Sequence, residues 1–203
     1  MTKMNEDIYI AFFVSNDNVS KIIKRFEKFF MNKKFVFTHV GICIKTDIIK
    51  DLIPCKKNIY PYIILESTFS GPLNDNVKTV CDDIFFGVQM RWLNEIVQEY
   101  KKCKKCMIAI SKIKNLPNDY INILRKSIVK YINKNYDKTI VNLLTIHIPI
   151  PSIKTDGMFC SELVCNVLKD LHIIDDSIND KKVSPNSIFK VCNNIEDPIF
   201  IVY

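Results

Sequence analysis

The chain has 203 residues, 48% hydrophobic and 25% charged, with 4 Gly and 8 Pro, a composition that excludes collagen, disorder and low-complexity filaments. Its net charge is +7, but of its 29 basic residues only Arg25, Arg91 and Arg125 are arginine, so specific nucleic-acid recognition, which leans on the guanidinium fork, is not expected. Ile (33), Lys (26) and Asn (19) against two Ala is what an AT-rich genome writes, which leaves a general attraction to anionic membrane surfaces as the consequence of the charge.

No apolar run reaches the ~18 residues of a membrane span. The start, MTKMNEDIYI, is interrupted by Asn5, Glu6 and Asp7 and does not read as a secretory leader. The expectation is one intracellular domain over 1–203, with its eight Cys as thiols rather than a disulfide frame.

Ile8 to Val14 (IYIAFFV) is a continuous apolar run of strand length, the pattern of a strand buried on both faces. Ser15-Asn16-Asp17-Asn18 then opens a helix whose apolar positions are Val19, Ile22, Ile23, Phe26, Phe29 and Phe30. Phe35 to Ile44 and Tyr62 to Phe69 read as strands, and Ser70-Gly71-Pro72 as the turn that ends the second. Val88 to Trp92 is a short strand, followed by a helix from Leu93 to Lys101 and another strand from Met107 to Ile113.

Pro117-Asn118-Asp119 opens a helix through Tyr120, Leu124, Ile128 and Ile132 that runs down near Asn135. Val141 to Ile153 is apolar but broken by Pro149 and Pro151, and reads as a covered loop. Phe159 to Leu171 is an amphipathic helix; a short helix near Pro185 to Val191 and a strand from Ile199 to Tyr203 close the chain. About six strands and three or four helices make the fold class α+β.

Three histidines limit the chemistry. His172 follows Cys160 by twelve residues, ~18 Å along one helix, and suits that helix's C-terminus together with Lys169. His147 lies in the Pro-broken loop. His39 stands within a strand, with Gly41 leaving its face bare for a backbone or a ligand to approach.

Among the thiols, Cys160 starts a helix, where free N–H groups and the macrodipole favour a thiolate. Cys43, Cys165 and Cys192 sit in apolar surroundings. Cys103-Lys-Lys-Cys106 reads as two incidental thiols, because a zinc site would need Cys55 and Cys81 as well. A base histidine needs an orienting acceptor, and Glu66 is the one carboxylate within an apolar strand run. It reaches His39 if the two strands are neighbours; a lone strand carboxylate that simply faces solvent is the equal alternative. Glu162, two residues past Cys160, points elsewhere and complements the helix dipole.

The order Thr38-His39-Val40-Gly41-Ile42, Glu66-Ser67, Tyr136-Asp137, then Phe159-Cys160-Ser161-Glu162-Leu163-Val164 resembles the circularly permuted branch of the NlpC-type papain-like superfamily. That branch includes bacterial amidase-like hydrolases, lecithin:retinol acyltransferase-type enzymes and proteins of poxviruses and other large DNA viruses. The resemblance spans about Ile8 to Pro185. It implies a permuted papain-like fold, a small antiparallel sheet packed against the Cys-bearing helix. It also implies acyl transfer with Cys160 as nucleophile, His39 as general base and Glu66 as its orienting residue, without cofactor or metal.

The acyltransferase-like relatives carry a second His soon after the first; Cys43 to Asp51 has none, which leans toward the amidase-like side. Tyr136-Asp137 is read as a packing pair. Three readings stand: a hydrolase of amide or peptide bonds, a lipid-directed thiol phospholipase or acyltransferase, and a non-catalytic binding domain on the same fold. AT-rich composition with this resemblance points to a virus growing in host cytoplasm, with the protein in that cytoplasm or packaged in the virion.

Overall fold

The computed structural model describes residues 4, 7–18, 20, 21, 23–25, 36–54, 60–72, 77–137 and 155–202. Six strands form one antiparallel sheet: β1 (Ile8–Val14), β2 (His39–Lys45), β3 (Tyr62–Thr68), β4 (Gly87–Trp92), β5 (Met107–Lys112) and β6 (Ile199–Val202). The spatial order is β4-β3-β2-β1-β5-β6. Among the described residues, four α-helices are α1 (Leu93–Lys102), α2 (Tyr120–Tyr131), α3 (Cys160–Asp170) and α4 (Ile188–Val191), and residues 18, 20, 21 and 23–25 are also helical. The α+β class expected from the pattern is observed.

β1 lies inside the sheet, paired with β2 and β5, and every one of its seven residues is buried, which is why its sequence is apolar without alternation. Ile8, Ile10 and Phe12 face α2 and α3, together with Val40, Ile42, Ile44, Ile63 and Leu65. Tyr9, Ala11 and Phe13 face α1, whose Leu93, Ile96, Val97 and Tyr100 cover them. Each such fully buried large side chain contributes about 1.5–3 kcal/mol. The sheet is thus a middle layer, with α3 over β2 and β3 on one side and α1 over β3 to β6 on the other.

Most expected elements fall within two or three residues of their observed bounds; β2 and α2 differ by more, and one reading of two thiols changes. β2 begins at His39 rather than Phe35, because Asn186 takes the backbone of Phe37 from both sides (Phe37 N–H to Oδ1 2.9 Å, Nδ2 to the Phe37 carbonyl 2.8 Å). α2 ends at Tyr131 rather than near Asn135, because the following residues bond β4: Asn133 N–H to Val88 carbonyl, 2.9 Å, and Val88 N–H to Lys134 carbonyl, 2.8 Å. Cys103 and Cys106, read as free thiols, are joined by a disulfide after α1. Val19, Ile22, Phe26, Phe29, Phe30, Cys55, His147 and the Val141 to Ile153 segment lie outside the described residues.

α3 closes with a hydrogen-bonded reversal. Ile173 N–H returns to the Leu168 carbonyl and His172 N–H to the Lys169 carbonyl, with His172 at φ +55. His172 therefore sits at the far end of the helix that begins at Cys160. No helix among the described residues is long and apolar enough to cross a membrane.

Candidate active site

The β2–β3 ladder runs from Lys45↔Tyr62 to Ile42↔Leu65, and the same register continued sets Gly41 opposite Glu66. A Cβ on Gly41 would stand 2.8 Å from Ile64 Cγ2, 3.0 Å from the Leu65 carbonyl oxygen and 3.3 Å from Glu66 Cβ. The face that Gly41 leaves bare is thus filled by β3 itself. That close approach lets the Glu66 carboxylate pass diagonally to the ring of His39, where Oε2 lies 2.6 Å from Nε2. Glu66 is 2% exposed, so the strand carboxylate faces inward rather than solvent.

His39 is the first residue of β2. Its ring leans on Phe13, centroids 5.3 Å apart, and its side chain keeps 15% exposure. At this end of the sheet the approach to α3 comes in. Ser67 Oγ donates to the Met158 carbonyl at 2.6 Å, and Met158 bridges Tyr136 in parallel. Two residues on, Cys160 begins the helix, 6% exposed, near enough to His39 for its charge to act on the ring. Glu66 holds Nε2, so the ring nitrogen left for Cys160 is Nδ1.

Burial alone would pull the His39 imidazolium down. The Cys160 thiolate, by charge and hydrogen bond, and then Glu66, by the same two means, outweigh it and push His39 up to about 10. The ring therefore stays protonated through neutral pH. Its contribution to stability is complete below its ordinary 6.5 and is lost as pH climbs through about 10. Burial would push Glu66 up, but His39 and Arg91 hold it below the usual carboxylate range.

Residues around these three were not legible as site residues. Arg91 on β4, 4% exposed, donates to Glu66 Oε1 at 3.2 Å and with a second arm to both oxygens of Glu99 at 2.6 Å. Breaking such a buried pair from one side typically costs about 3–5 kcal/mol. Gln89, opposite Glu66 on β4, is 2% exposed with neither amide atom hydrogen-bonded. Their signal in the sequence was only a polar residue at alternate positions of a strand, which an exposed edge gives equally.

Tyr136 packs edge-on to Phe159 (5.7 Å) and beside Phe69 (5.0 Å). Burial, then the charge of Cys160, pushes its phenol well above the ordinary tyrosine range. Asp137 accepts from Thr155 Oγ1 at 2.8 Å, and a Cβ on Gly157 would stand 2.6 Å from Asp137 Cα. The Tyr136-Asp137 pair thus fixes the approach to α3, the packing role expected of it. Glu162 turns back to the Phe159 N–H (3.3 Å), away from His39. Burial pushes it up to about 7, against the pull of that N–H.

Cys43, Cys165 and Cys192 are buried. Burial pushes the thiols of Cys43 and Cys165 up, the latter to about 11, which favours the unreactive form. Among the described residues no three His, Cys, Asp or Glu side chains are grouped to hold a metal ion. Compared with protein-family models the chain matches none, and no curated protein matches it.

Proposed function

We propose that the chain is a thiol hydrolase of permuted papain-like fold that transfers acyl groups through Cys160, His39 and Glu66, with amide or peptide bonds as its substrates. One observation carries the reading. A thiol at a helix start acts by its charge on a histidine whose Nε2 is held at 2.6 Å by a buried carboxylate.

The chemistry follows from that order. The Cys160 thiolate attacks the substrate carbonyl carbon, and the C=O π electrons move onto oxygen. The backbone N–H of Cys160, in the first turn of α3, is the oxyanion donor in this reading. As the carbonyl re-forms, the C–N bond breaks and His39 gives its Nδ1 proton to the departing amine, leaving a thioester. Water then attacks the thioester and gives a proton to His39, the C–S bond breaks, and the acid leaves with the ion pair restored. Glu66 accepts from Nε2–H throughout and keeps Nδ1 turned to sulfur.

A lipid-directed form of the same chemistry is the second reading. It is favoured by exposed Ile84 (52%) and Phe86 (38%), the latter's carbonyl accepting from the N–H of Tyr136, whose ring packs on Phe159. We take 1–203 as one domain acting in host cytoplasm or from the virion, without cofactor.

Intact-protein mass spectrometry after mixing with an activated acyl ester tests the reading. A single acyl group on Cys160, absent in Cys160→Ala and lost again with time, is expected. Peptide-amide and phospholipid substrates then separate the two forms. Acylation spread over Cys81 and lysines, with none on Cys160, would leave only a binding domain.

A further inference from the structure

We propose that Arg91 is a positioning residue for the Cys160–His39 pair: one arm of its guanidinium keeps Glu66 a carboxylate with Oε2 turned to His39. The inference rests on the thiol-hydrolase reading above.

Four groups alternate in sign along one line of contacts, His39 imidazolium, Glu66, Arg91 and Glu99, with Cys160 at its inner end. Chain geometry builds the outer half. β4 runs directly into α1, so Arg91 near the end of the strand and Glu99 two turns into the helix lie one above the other. Arg91 Nε also donates to the Lys78 carbonyl at 3.2 Å, so the guanidinium is anchored from three sides and only one arm serves Glu66.

A buried carboxylate without a cation takes up a proton, and a protonated Glu66 would offer His39 an O–H where the ring needs an acceptor. One oxygen on Arg91 and the other on His39 fixes both the ionisation and the rotation of the group. A plain structural tie between α1 and the sheet would need the Arg91–Glu99 pair but not the arm on Glu66.

The titratable groups facing this line come from every layer around it. Glu66 meets His39 from β2, Arg91 from β4 and the Tyr100 phenol from α1. Arg91 meets Glu99 and Glu95 from α1. Cys160 meets Tyr136, which also faces Asp17 and Asp137. Arg91 is the cation that touches Glu66 directly, apart from His39 itself.

The experiment is the pH profile of Cys160 alkylation by iodoacetamide in wild type, Arg91→Met, Arg91→Lys, Glu99→Gln and His39→Ala, read by peptide mass spectrometry. Removing a cation raises proton affinity along the line, so Arg91→Met moves the acid limb up by about one pH unit. Arg91→Lys moves it by less than half as much. Glu99→Gln removes an anion and moves the limb down.

These opposite signs are what a structural tie would not give, since both variants would then lose stability and leave the limb in place. An unmoved limb in Arg91→Met, or an unmoved or raised limb in Glu99→Gln, overturns the inference. Where Arg91→Met does not fold, Glu99→Gln decides alone by the direction of its shift. His39→Ala separates the two failures: Cys160 alkylation unchanged there overturns the nucleophile reading itself, and the role of Arg91 with it.

Discussion

Gly41→Ala probes the contact that brings Glu66 to His39. Gly41 lies mid-strand, and its φ is not in the left-handed region, so alanine suits the backbone and the effect is steric. The new Cβ meets Ile64 Cγ2 at 2.8 Å, which can turn aside, but also the Leu65 carbonyl oxygen at 3.0 Å, which is backbone and cannot. Overpacking of this kind costs roughly 1–3 kcal/mol. Lower unfolded-state entropy offsets about 0.4–1 kcal/mol of it.

The net expectation is a loss of about 1–2 kcal/mol, or roughly 2–8 °C in Tm at ~2–4 °C per kcal/mol for a chain of this size. The displacement falls between β2 and β3, so alkylation of Cys160 should lose part of its dependence on His39 as well. Urea unfolding and the alkylation rate at pH 6 check the two halves. A variant as stable as wild type with Cys160 equally reactive would refute the argument that bare space at Gly41 is what seats Glu66.

Two further outcomes follow from the same geometry. Gly157→Ala puts a Cβ against backbone only (Asp137 Cα 2.6 Å, Asp137 N 2.7 Å, Tyr136 C 2.9 Å), so it should destabilise more than Gly41→Ala in urea. The reverse order would show that the Tyr136-Asp137 crossing is not rigid. Glu162 is pushed up from its ordinary 4.5 to about 7, so the folded chain binds this proton more tightly than the unfolded one. Stability from it is therefore full at low pH and declines as pH rises from 4.5 to about 7. Glu162→Gln should flatten the Tm–pH curve between pH 5 and 7.5, and an equally steep curve in the variant would count against it.

The helix start at Cys160 and the continuous apolar run of β1 could be read directly, because each depends on neighbours in sequence. Glu66 was legible as a carboxylate out of place in an apolar strand. The arm of Arg91 on it was not, since that needs the β3–β4 register, Ile64↔Arg91 and Glu66↔Gln89, which no local pattern sets. The same holds for Asn186, which sets the start of β2 from 149 residues away, and for Ser67 on the Met158 carbonyl, 91 residues away. The Cys103–Cys106 bridge depends on how α1 ends, and spacing alone fits a thiol pair as well. Periodicity fixes elements and spans; contacts between distant strands belong to the packed sheet.

The most direct test of the account is the alkylation rate of each cysteine from pH 5 to 9, in wild type and His39→Ala. The account predicts that Cys160 stays reactive at pH 5–6, where a free thiol of ordinary pKa ~8.5 is silent, and that His39→Ala abolishes this low-pH reactivity. Cys160 reacting no faster than Cys81 at pH 6, or equally fast without His39, would contradict it.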